Sequence, residues 1–153
     1  MPLAPPLVFR MRMSVEFDAP LVIANGPLGD RRILRVARGA FEGPSMTGEV
    51  LPGGGDWVLG RQDGSTELDI RFTLRAQGGE LILLRSMGLF VGSPAVASRI
   101  RAGADVPADS YYFRTSIVFE TGSAALSEMN RALHLGVGQR TPTGMVTDIF
   151  AVG

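Results

Sequence analysis

The chain contains no cysteine, no lysine and a single histidine among its 153 residues. Without cysteine it can form neither a disulfide nor a thiolate nucleophile, and metal sites built on thiolates are excluded. Without lysine, Schiff-base chemistry is excluded, and one histidine cannot supply a three-histidine zinc site. If the protein is an enzyme, its acids and bases have to come mainly from Asp, Glu or Tyr.

The charge balance argues against polyanionic partners. The 15 basic and 15 acidic residues cancel, so the chain lacks the basic excess typical of nucleic-acid-binding proteins and the polybasic signal for a membrane surface. No apolar run reaches the roughly 18 residues of a transmembrane helix, and the N-terminal MPLAPPLVFRMRM lacks the order of a signal peptide. We therefore expect a cytoplasmic protein that binds neither nucleic acid nor membrane.

The dominant pattern is alternation of apolar and polar residues, which predicts antiparallel strands. It is regular over residues 9–17 and 67–75, and Asp63-Gly64 and Gly78-Gly79 supply hairpin turns. The predicted strands are 9–17, 31–41, 45–51, 56–61, 65–75, 80–90, 110–119, 131–138 and 144–152.

Helix signals are sparse. Ser93-Pro94 combines an N-cap residue with a proline at the first helical position and predicts a short helix over 94–102. Ser123 is a candidate cap for a second one over 124–131. Closure removes exposed strand edges when few helices cover them. The fold class is therefore all-β: a single-domain antiparallel β-barrel of about eight to ten strands with one or two short helices, residues 8–152, behind an N-terminal tail of residues 1–7.

The run VLPGGGDW, residues 50–57, combines three glycines, a proline, a carboxylate and the only tryptophan. Consecutive glycines predict a bend, a positive φ or a backbone approach that a Cβ would forbid. Asp56 and Trp57 follow where a strand restarts. The run is interpreted either as a turn with Trp57 as core filler or as one part of a binding pocket.

A second candidate is the set Glu67, Asp69 and Arg71, which share one face of a strand. On periodicity alone a solvated face is favoured, because charged residues are rarely buried. The alternative is that this charged face lines the barrel interior.

The third candidate is YYFRTSIVFET, residues 111–121. Tyr112 and Arg114 share one strand face, and Glu120 ends the strand. A tyrosine hydroxyl can stabilise a developing oxyanion, and an adjacent arginine favours its ionised form. Aromatic cross-strand packing with surface ion pairs is the competing interpretation. His134, between two leucines, is interpreted as structural.

The segments GAFEGPSMTGEVLPGGGDW, RQDGSTELDIRFTLR and YYFRTSIVFET together resemble domain-of-unknown-function family 3237, also called uncharacterised protein family 0311. The resemblance covers about residues 8–152. It implies a compact β-barrel, often a homodimer, with a polar pocket. At the second helix Asn130 matches the family pattern, whereas an expected aromatic is replaced by Glu128. The pocket residues that the resemblance supports are Asp56, Trp57, Glu67, Asp69, Arg71, Tyr112, Arg114 and Glu120.

The resemblance also implies cofactor-free enzymes that close rings or isomerise small molecules in secondary metabolism. We expect general acid/base catalysis without cofactor or metal, and a small-molecule substrate. The candidate catalytic residues are Asp56, Glu67, Tyr112, Arg114 and Glu120. The candidate substrate-binding residues are Trp57, Asp69, Arg71, Phe72 and Asn130.

Two alternatives remain open. One is a non-catalytic barrel that binds a small metabolite, in which carboxylates orient the ligand. A carboxyl group with a perturbed pKa in a closed cavity would favour catalysis over binding. The other is a divalent-metal site from Asp56, Glu67, Asp69 and Glu120, which only the strand alternation supports.

Overall fold

The computed structural model describes all residues of the chain, 1–153. It contains ten strands, one α-helix and two 3-10 helices, Ala108–Ser110 and Ser127–Arg131. The helix α1 spans Pro94–Arg101. No helix has the length and hydropathy needed to cross a bilayer. The strands are β1 (Leu7–Phe17), β2 (Leu21–Gly26), β3 (Gly29–Glu42), β4 (Thr47–Val50), β5 (Gly55–Gly60), β6 (Thr66–Ala76), β7 (Leu81–Val91), β8 (Tyr112–Thr121), β9 (His134–Arg140) and β10 (Gly144–Val152).

The strands form a closed antiparallel barrel, which confirms the predicted fold class. Each strand pairs with its neighbour in the order β1-β10-β9-β8-β7-β6-β4-β3, and the pairing of β1 with β3 closes the ring. β4 and β5 together occupy one position in the wall, since both pair with β3 on one side and with β6 on the other. Counted in this way the barrel has eight strands.

The glycine run 53–55 is the bend that divides this wall strand into β4 and β5. Gly53 has a φ of 103°, a conformation that side chains disfavour. A Cβ on Gly54 would lie 2.4 Å from the carbonyl oxygen of Arg71, and one on Gly55 would lie 2.8 Å from that of Leu34. Both predicted reasons for consecutive glycines, positive φ and close backbone approach, are therefore present.

The interior of the barrel is filled by the apolar residues of the alternating pattern. Met11, Met13, Phe72, Leu74 and Ile82 are at most 2% exposed. The 3-10 helix Ser127–Arg131 packs Met129 against the end formed by the start of β9 and the end of β8. A space of about 90 Å³ remains at this end, with Met46, Leu126, Met129 and His134 among its lining residues.

Two local differences from the sequence-based expectation concern elements at the surface. β2 was not predicted; it pairs only with β3 and extends beyond the closed ring. The second short helix, expected over 124–131, is a 3-10 helix over Ser127–Arg131. Neither difference changes the fold class.

Candidate active site inside the barrel

Asp56 is a carboxylate in the wall of the barrel interior. It follows the glycine bend at the start of β5 and is 1% exposed. Its Oδ1 accepts a hydrogen bond from the backbone N–H of Asp69 at 3.1 Å. The β5–β6 ladder skips this point, since it pairs Asp56 with Ile70 and resumes only at Leu59 with Glu67. The side chain thus satisfies a strand N–H that the interrupted ladder leaves free.

The environment of Asp56 favours its protonated form. Burial raises the pKa of Asp56 to about 7, against the lowering effects of the Asp69 N–H and of the charge of Arg140. The charge of Asp69 adds a smaller raising effect. A carboxyl group with a pKa near neutrality can act both as a proton donor and as a proton acceptor.

Arg140 lies in the same interior and ends β9. Its Nε is enclosed and has no hydrogen-bond partner. Burial lowers the pKa of Arg140, while the charge of Asp56 counteracts this; the neighbouring charge of Arg32 lowers it further. Asp56 and Arg140 form no ion pair with each other, and neither takes part in any of the four ion pairs of the molecule.

Tyr111 fixes the backbone at Arg140. Its hydroxyl accepts a hydrogen bond from the Arg140 backbone N–H at 2.8 Å. Its ring packs against Phe90 with centroids 5.0 Å apart, and Phe90 in turn contacts Phe113 edge to face at 5.9 Å. Phe90 and Phe113 form one apolar side of the space that Arg140 also lines.

A cavity of about 120 Å³ lies between these groups, at the end of the barrel beneath α1. Asp56 is not among the lining residues; it lies two residues before Val58, which lines the cavity, on the same face of β5. The cavity volume is several times the volume of one water in the liquid, about 30 Å³. The lining residues are Arg32, Leu34, Val58, Thr66, Leu68, Phe90, Ala97, Ile100, Arg101, Phe113 and Arg140. The space is mostly apolar and carries cationic groups at its edge, so it suits a small molecule that has one anionic or electron-rich oxygen.

The structure corrects the expectation that the charged face of β6 lines this cavity. Asp69 and Arg71 are exposed, and Glu67 shares their face, while the alternating residues Leu68 and Ile70 are buried inside. The physical reason is the one that periodicity gave: a barrel interior accepts apolar side chains, and these carboxylates have no buried partner there.

The same correction applies to β8. Tyr112 is 51% exposed, with the guanidinium of Arg114 stacked 5.5 Å from its ring centroid on the outside of the barrel. Glu120 is exposed on that face as well. The inward face carries Phe113 and, just before the strand, Tyr111, so the neighbouring tyrosine occupies the interior position.

Three predicted binding residues have other positions. Trp57 is 37% exposed on the outer face of β5. Phe72 is inside the barrel but belongs to its packed core and does not line the cavity. Asn130 joins the 3-10 helix Ser127–Arg131 to β8, accepting from the Thr121 N–H at 2.8 Å and donating to the Thr121 carbonyl at 2.9 Å, at the opposite end of the barrel.

The residues that sequence reasoning missed carry a readable signal. Arg140 follows Gly136 and Gly138 on one face of β9, so small residues lead to one large cation. A Cβ on Gly138 would lie 2.4 Å from the Phe113 ring, so the glycine leaves room for that ring inside the barrel. Arg32 precedes the buried Leu34 on the inward face of β3. The signal in the sequence is an arginine that continues the inward-facing row of small or apolar residues on a strand, as Arg140 does on β9 and Arg32 does on β3.

The four carboxylates considered as metal ligands do not meet. Asp56 is inside the wall, whereas Glu67, Asp69 and Glu120 lie on outward faces. No group of three or more His, Cys, Asp or Glu side chains is arranged to hold a metal ion. The donor set proposed from the strand alternation is therefore wrong.

A family model described as "Protein of unknown function (DUF3237)" matches residues 5–152. The chain belongs to this family. Among curated proteins, a UPF0311 protein of Clostridium acetobutylicum is 27% identical over 141 residues, covering 92% of this chain and 89% of the relative. The resemblance in the sequence is thereby confirmed.

Solved structures share the fold of this DUF3237 member. A conserved protein of unknown function from Rhodopseudomonas palustris superposes with a TM-score of 0.95 at 23% identity, covering 100% of both chains. An enzyme from Penicillium herquei superposes with a TM-score of 0.75 at 15% identity, covering 100% of this chain and 98% of that one. At these identities the likeness concerns the barrel architecture.

Proposed function

We propose that this protein is a cofactor-independent enzyme that moves a proton on a small organic molecule held in the barrel cavity. The observation that carries the proposal is Asp56, a carboxyl group buried in the barrel wall with a pKa raised to about 7, two residues before the cavity-lining Val58 on the same face of β5. Perturbed carboxyl groups in enclosed spaces are typical of catalytic sites. A barrel of the same fold that is described as an enzyme adds support at the level of architecture.

In this proposal Asp56 is the general acid and base. A proton leaves a carbon or hydroxyl group of the substrate for the Asp56 carboxylate, and the same carboxyl group returns a proton elsewhere on the molecule. Negative charge that develops on a substrate oxygen is stabilised by the guanidinium of Arg140, whose Nε is free to donate. Cyclisation and isomerisation are both reactions of this kind.

The shape of the site favours a substrate with an apolar body. Phe90 and Phe113 form an aromatic wall, and Val58 and Leu68 complete an apolar lining. Excluding water from this space strengthens the interaction between Arg140 and developing charge.

A direct test is solvent exchange of carbon-bound hydrogen. Neutral cyclic ketones such as 2-indanone would be incubated with the protein in deuterium oxide, and loss of the signal of the hydrogens next to the carbonyl would be followed by proton NMR. The wild type should accelerate exchange over buffer. Asp56→Asn should reduce the enzyme-dependent rate by about 10²–10⁴-fold.

The matched control is Asp18→Asn, which makes the same chemical change at an exposed position outside the barrel wall. It should exchange at the wild-type rate. Equal rates for wild type and Asp56→Asn, or no acceleration by wild type across the ketones tried, would contradict the proposal.

The alternative function is a non-catalytic barrel that binds a small molecule. Two buried hydroxyl oxygens on β7 and β8, Ser86 Oγ and Thr115 Oγ1, have no partner and do not line the cavity. They favour this function independently of any proton transfer, because unpartnered buried polar atoms mark places where a polar ligand or water belongs. Binding of a compound that is never converted, together with Asp56→Asn binding equally well, would support this function.

The remaining expectations stay predictions of this proposal: a homodimer, a cytoplasmic location, a role in secondary metabolism, and the division of the chain into a tail of residues 1–7 and a barrel of residues 8–152.

A further inference from the structure

Three arginines surround the cavity, and none has an acidic partner. Arg140 enters from the end of β9, Arg32 from β3 and Arg101 from the last turn of α1. The ion pairs of the molecule use Arg12, Arg38, Arg61 and Arg75. The arginine side chains that donate hydrogen bonds are likewise others, so no protein group accepts from these three guanidinium groups. Arg101 is exposed to water and Arg32 is partly exposed, so Arg140 is the one of the three with an enclosed donor.

This arrangement leaves an excess of positive charge at the cavity. A guanidinium group keeps its proton at neutral pH, so repulsion between Arg32 and Arg140 persists. The charge of Arg32 accordingly lowers the pKa of Arg140, in addition to the larger effect of burial. The opposing acidic groups acting on Arg140 are Asp56, which is largely neutral below about pH 7, and the hydroxyl of Tyr111.

An enclosed donor without a partner adds a second cost. The Nε of Arg140 has lost water and gained no acceptor, which costs more for charged groups than for neutral ones. An anionic ligand in the cavity would relieve both the repulsion and the missing hydrogen bond. The apolar lining beside it would contact the rest of such a ligand.

We infer that the substrate is a small organic acid whose carboxylate binds Arg140, with its apolar ring or chain against Phe90 and Phe113. This inference takes the proposed small-molecule site as its basis. Arginine presents a planar fork of donors that matches a carboxylate, and Arg32 and Arg101 line the same cavity. Thr66, also in the lining, supplies a hydroxyl.

A carboxylate fits this lining better than a phosphate. Phosphate sites commonly use backbone N–H groups of glycine-rich loops and helix N-termini. No glycine lines this cavity, and α1 contributes Ala97, Ile100 and Arg101, from its middle and last turn rather than its first.

The test is isothermal titration calorimetry with three probes that share one ring: benzoate, its neutral isostere benzamide, and phenyl phosphate. The titrations would be run near pH 6, where Asp56 is mostly protonated. Benzoate should bind wild type at least about tenfold more tightly than benzamide, the size expected for a charged hydrogen bond. Phenyl phosphate should bind more weakly than benzoate.

Variants locate the preference. Arg140→Gln should abolish the advantage of benzoate over benzamide, and Arg101→Gln should reduce it severalfold. Arg99→Gln is the matched control, because Arg99 is exposed on the same helix and does not line the cavity; it should bind like wild type. Circular dichroism would establish that each variant folds. If Arg140→Gln does not fold, the benzoate preference of Arg101→Gln tests the inference.

Equal binding of benzoate and benzamide, no binding of either, tighter binding of phenyl phosphate, or an unchanged preference in both Arg140→Gln and Arg101→Gln would overturn the inference. Its failure is separable from that of the proposed function, since these titrations need no turnover and the exchange assay uses neutral ketones. A preference for benzoate without hydrogen exchange would support the carboxylate-binding site and contradict the proton-transfer role. Hydrogen exchange without the preference would support the proton-transfer role and contradict the carboxylate-binding site.

Discussion

Replacing Asp56 with Asn should make the protein more stable at neutral and alkaline pH and leave it nearly unchanged in acid. The carboxyl group is 1% exposed, and its pKa is raised to about 7 by burial. In the unfolded chain the same group is in water and has the ordinary pKa of about 3.9. The folded protein therefore holds this proton over a pH range in which the unfolded chain has released it.

The direction follows from which state binds the proton more tightly. Below about pH 4 Asp56 is protonated in both the folded and the unfolded state, so its ionisation does not lower the free energy of unfolding. Between about pH 4 and pH 7 stability falls as pH rises, because folding then requires proton uptake. Above about pH 7 both states are ionised, and the loss is complete.

The magnitude comes from a gap of about three pH units between the two states. At about 1.4 kcal/mol per unit, the ionisation of Asp56 lowers the free energy of unfolding by about 4 kcal/mol from acid to alkaline pH. Asparagine has no such titration, and its Oδ1 can still accept the hydrogen bond from the Asp69 N–H that Asp56 accepts at 3.1 Å.

The assay is urea denaturation of wild type and Asp56→Asn at intervals from about pH 4 to pH 8.5, followed by the fluorescence of Trp57, the single tryptophan. Subtracting one curve from the other removes groups common to both proteins. The stability advantage of the variant should grow by about 4 kcal/mol, with most of the change between pH 4 and pH 7.

Asp18→Asn provides the control, because this carboxylate is exposed between β1 and β2; its difference from wild type should stay flat. An advantage of Asp56→Asn that does not change with pH would refute the reasoning. It would mean that Asp56 ionises in the folded protein as it does in water, and the acid/base role would lose its physical basis.

Other substitutions test other parts of the structure. Arg140→Gln removes a charge that lowers the pKa of Asp56, so the pH range of stability loss should move upward; the same denaturation series measures this, and an unmoved midpoint would show that the two groups are uncoupled. Gly138→Ala would place a Cβ 2.4 Å from a buried phenyl ring and should cost about 1–3 kcal/mol by urea denaturation; a neutral result would show that this part of the interior is loosely packed. Asn130→Ala removes two hydrogen bonds to the Thr121 backbone and should cost about 1–2 kcal/mol without changing ligand binding; loss of benzoate affinity would return Asn130 to the site.

The strands were readable from the sequence because each has a chemically distinct inner and outer face. Leu68, Ile70 and Phe72 alternate with charged residues, and all three are buried in the barrel. The glycine run was readable too, since Gly53 requires positive φ and Gly54 leaves no room for a Cβ. These are local properties, set by side-chain alternation and backbone sterics.

The outward placement of Glu67 and Tyr112 shows where the resemblance misled. The family resemblance indicated charged and aromatic residues as pocket candidates. Which side chains are buried depends instead on the free-energy cost of removing their charges from water. Periodicity alone had already favoured the outer face for Glu67. For the tyrosine pair, the interior position belongs to Tyr111, one residue earlier.

By itself, the sequence determined that this protein is an antiparallel β-barrel, that Asp56 follows a bend, and that its chemistry excludes thiol and lysine catalysis. Tertiary structure alone decided that Asp56 and Arg140 share one interior. They lie on β5 and β9, which are not neighbours in the sheet, so no local pattern links them. Closure of the barrel brings them together, and burial in that closed space shifts the pKa of both.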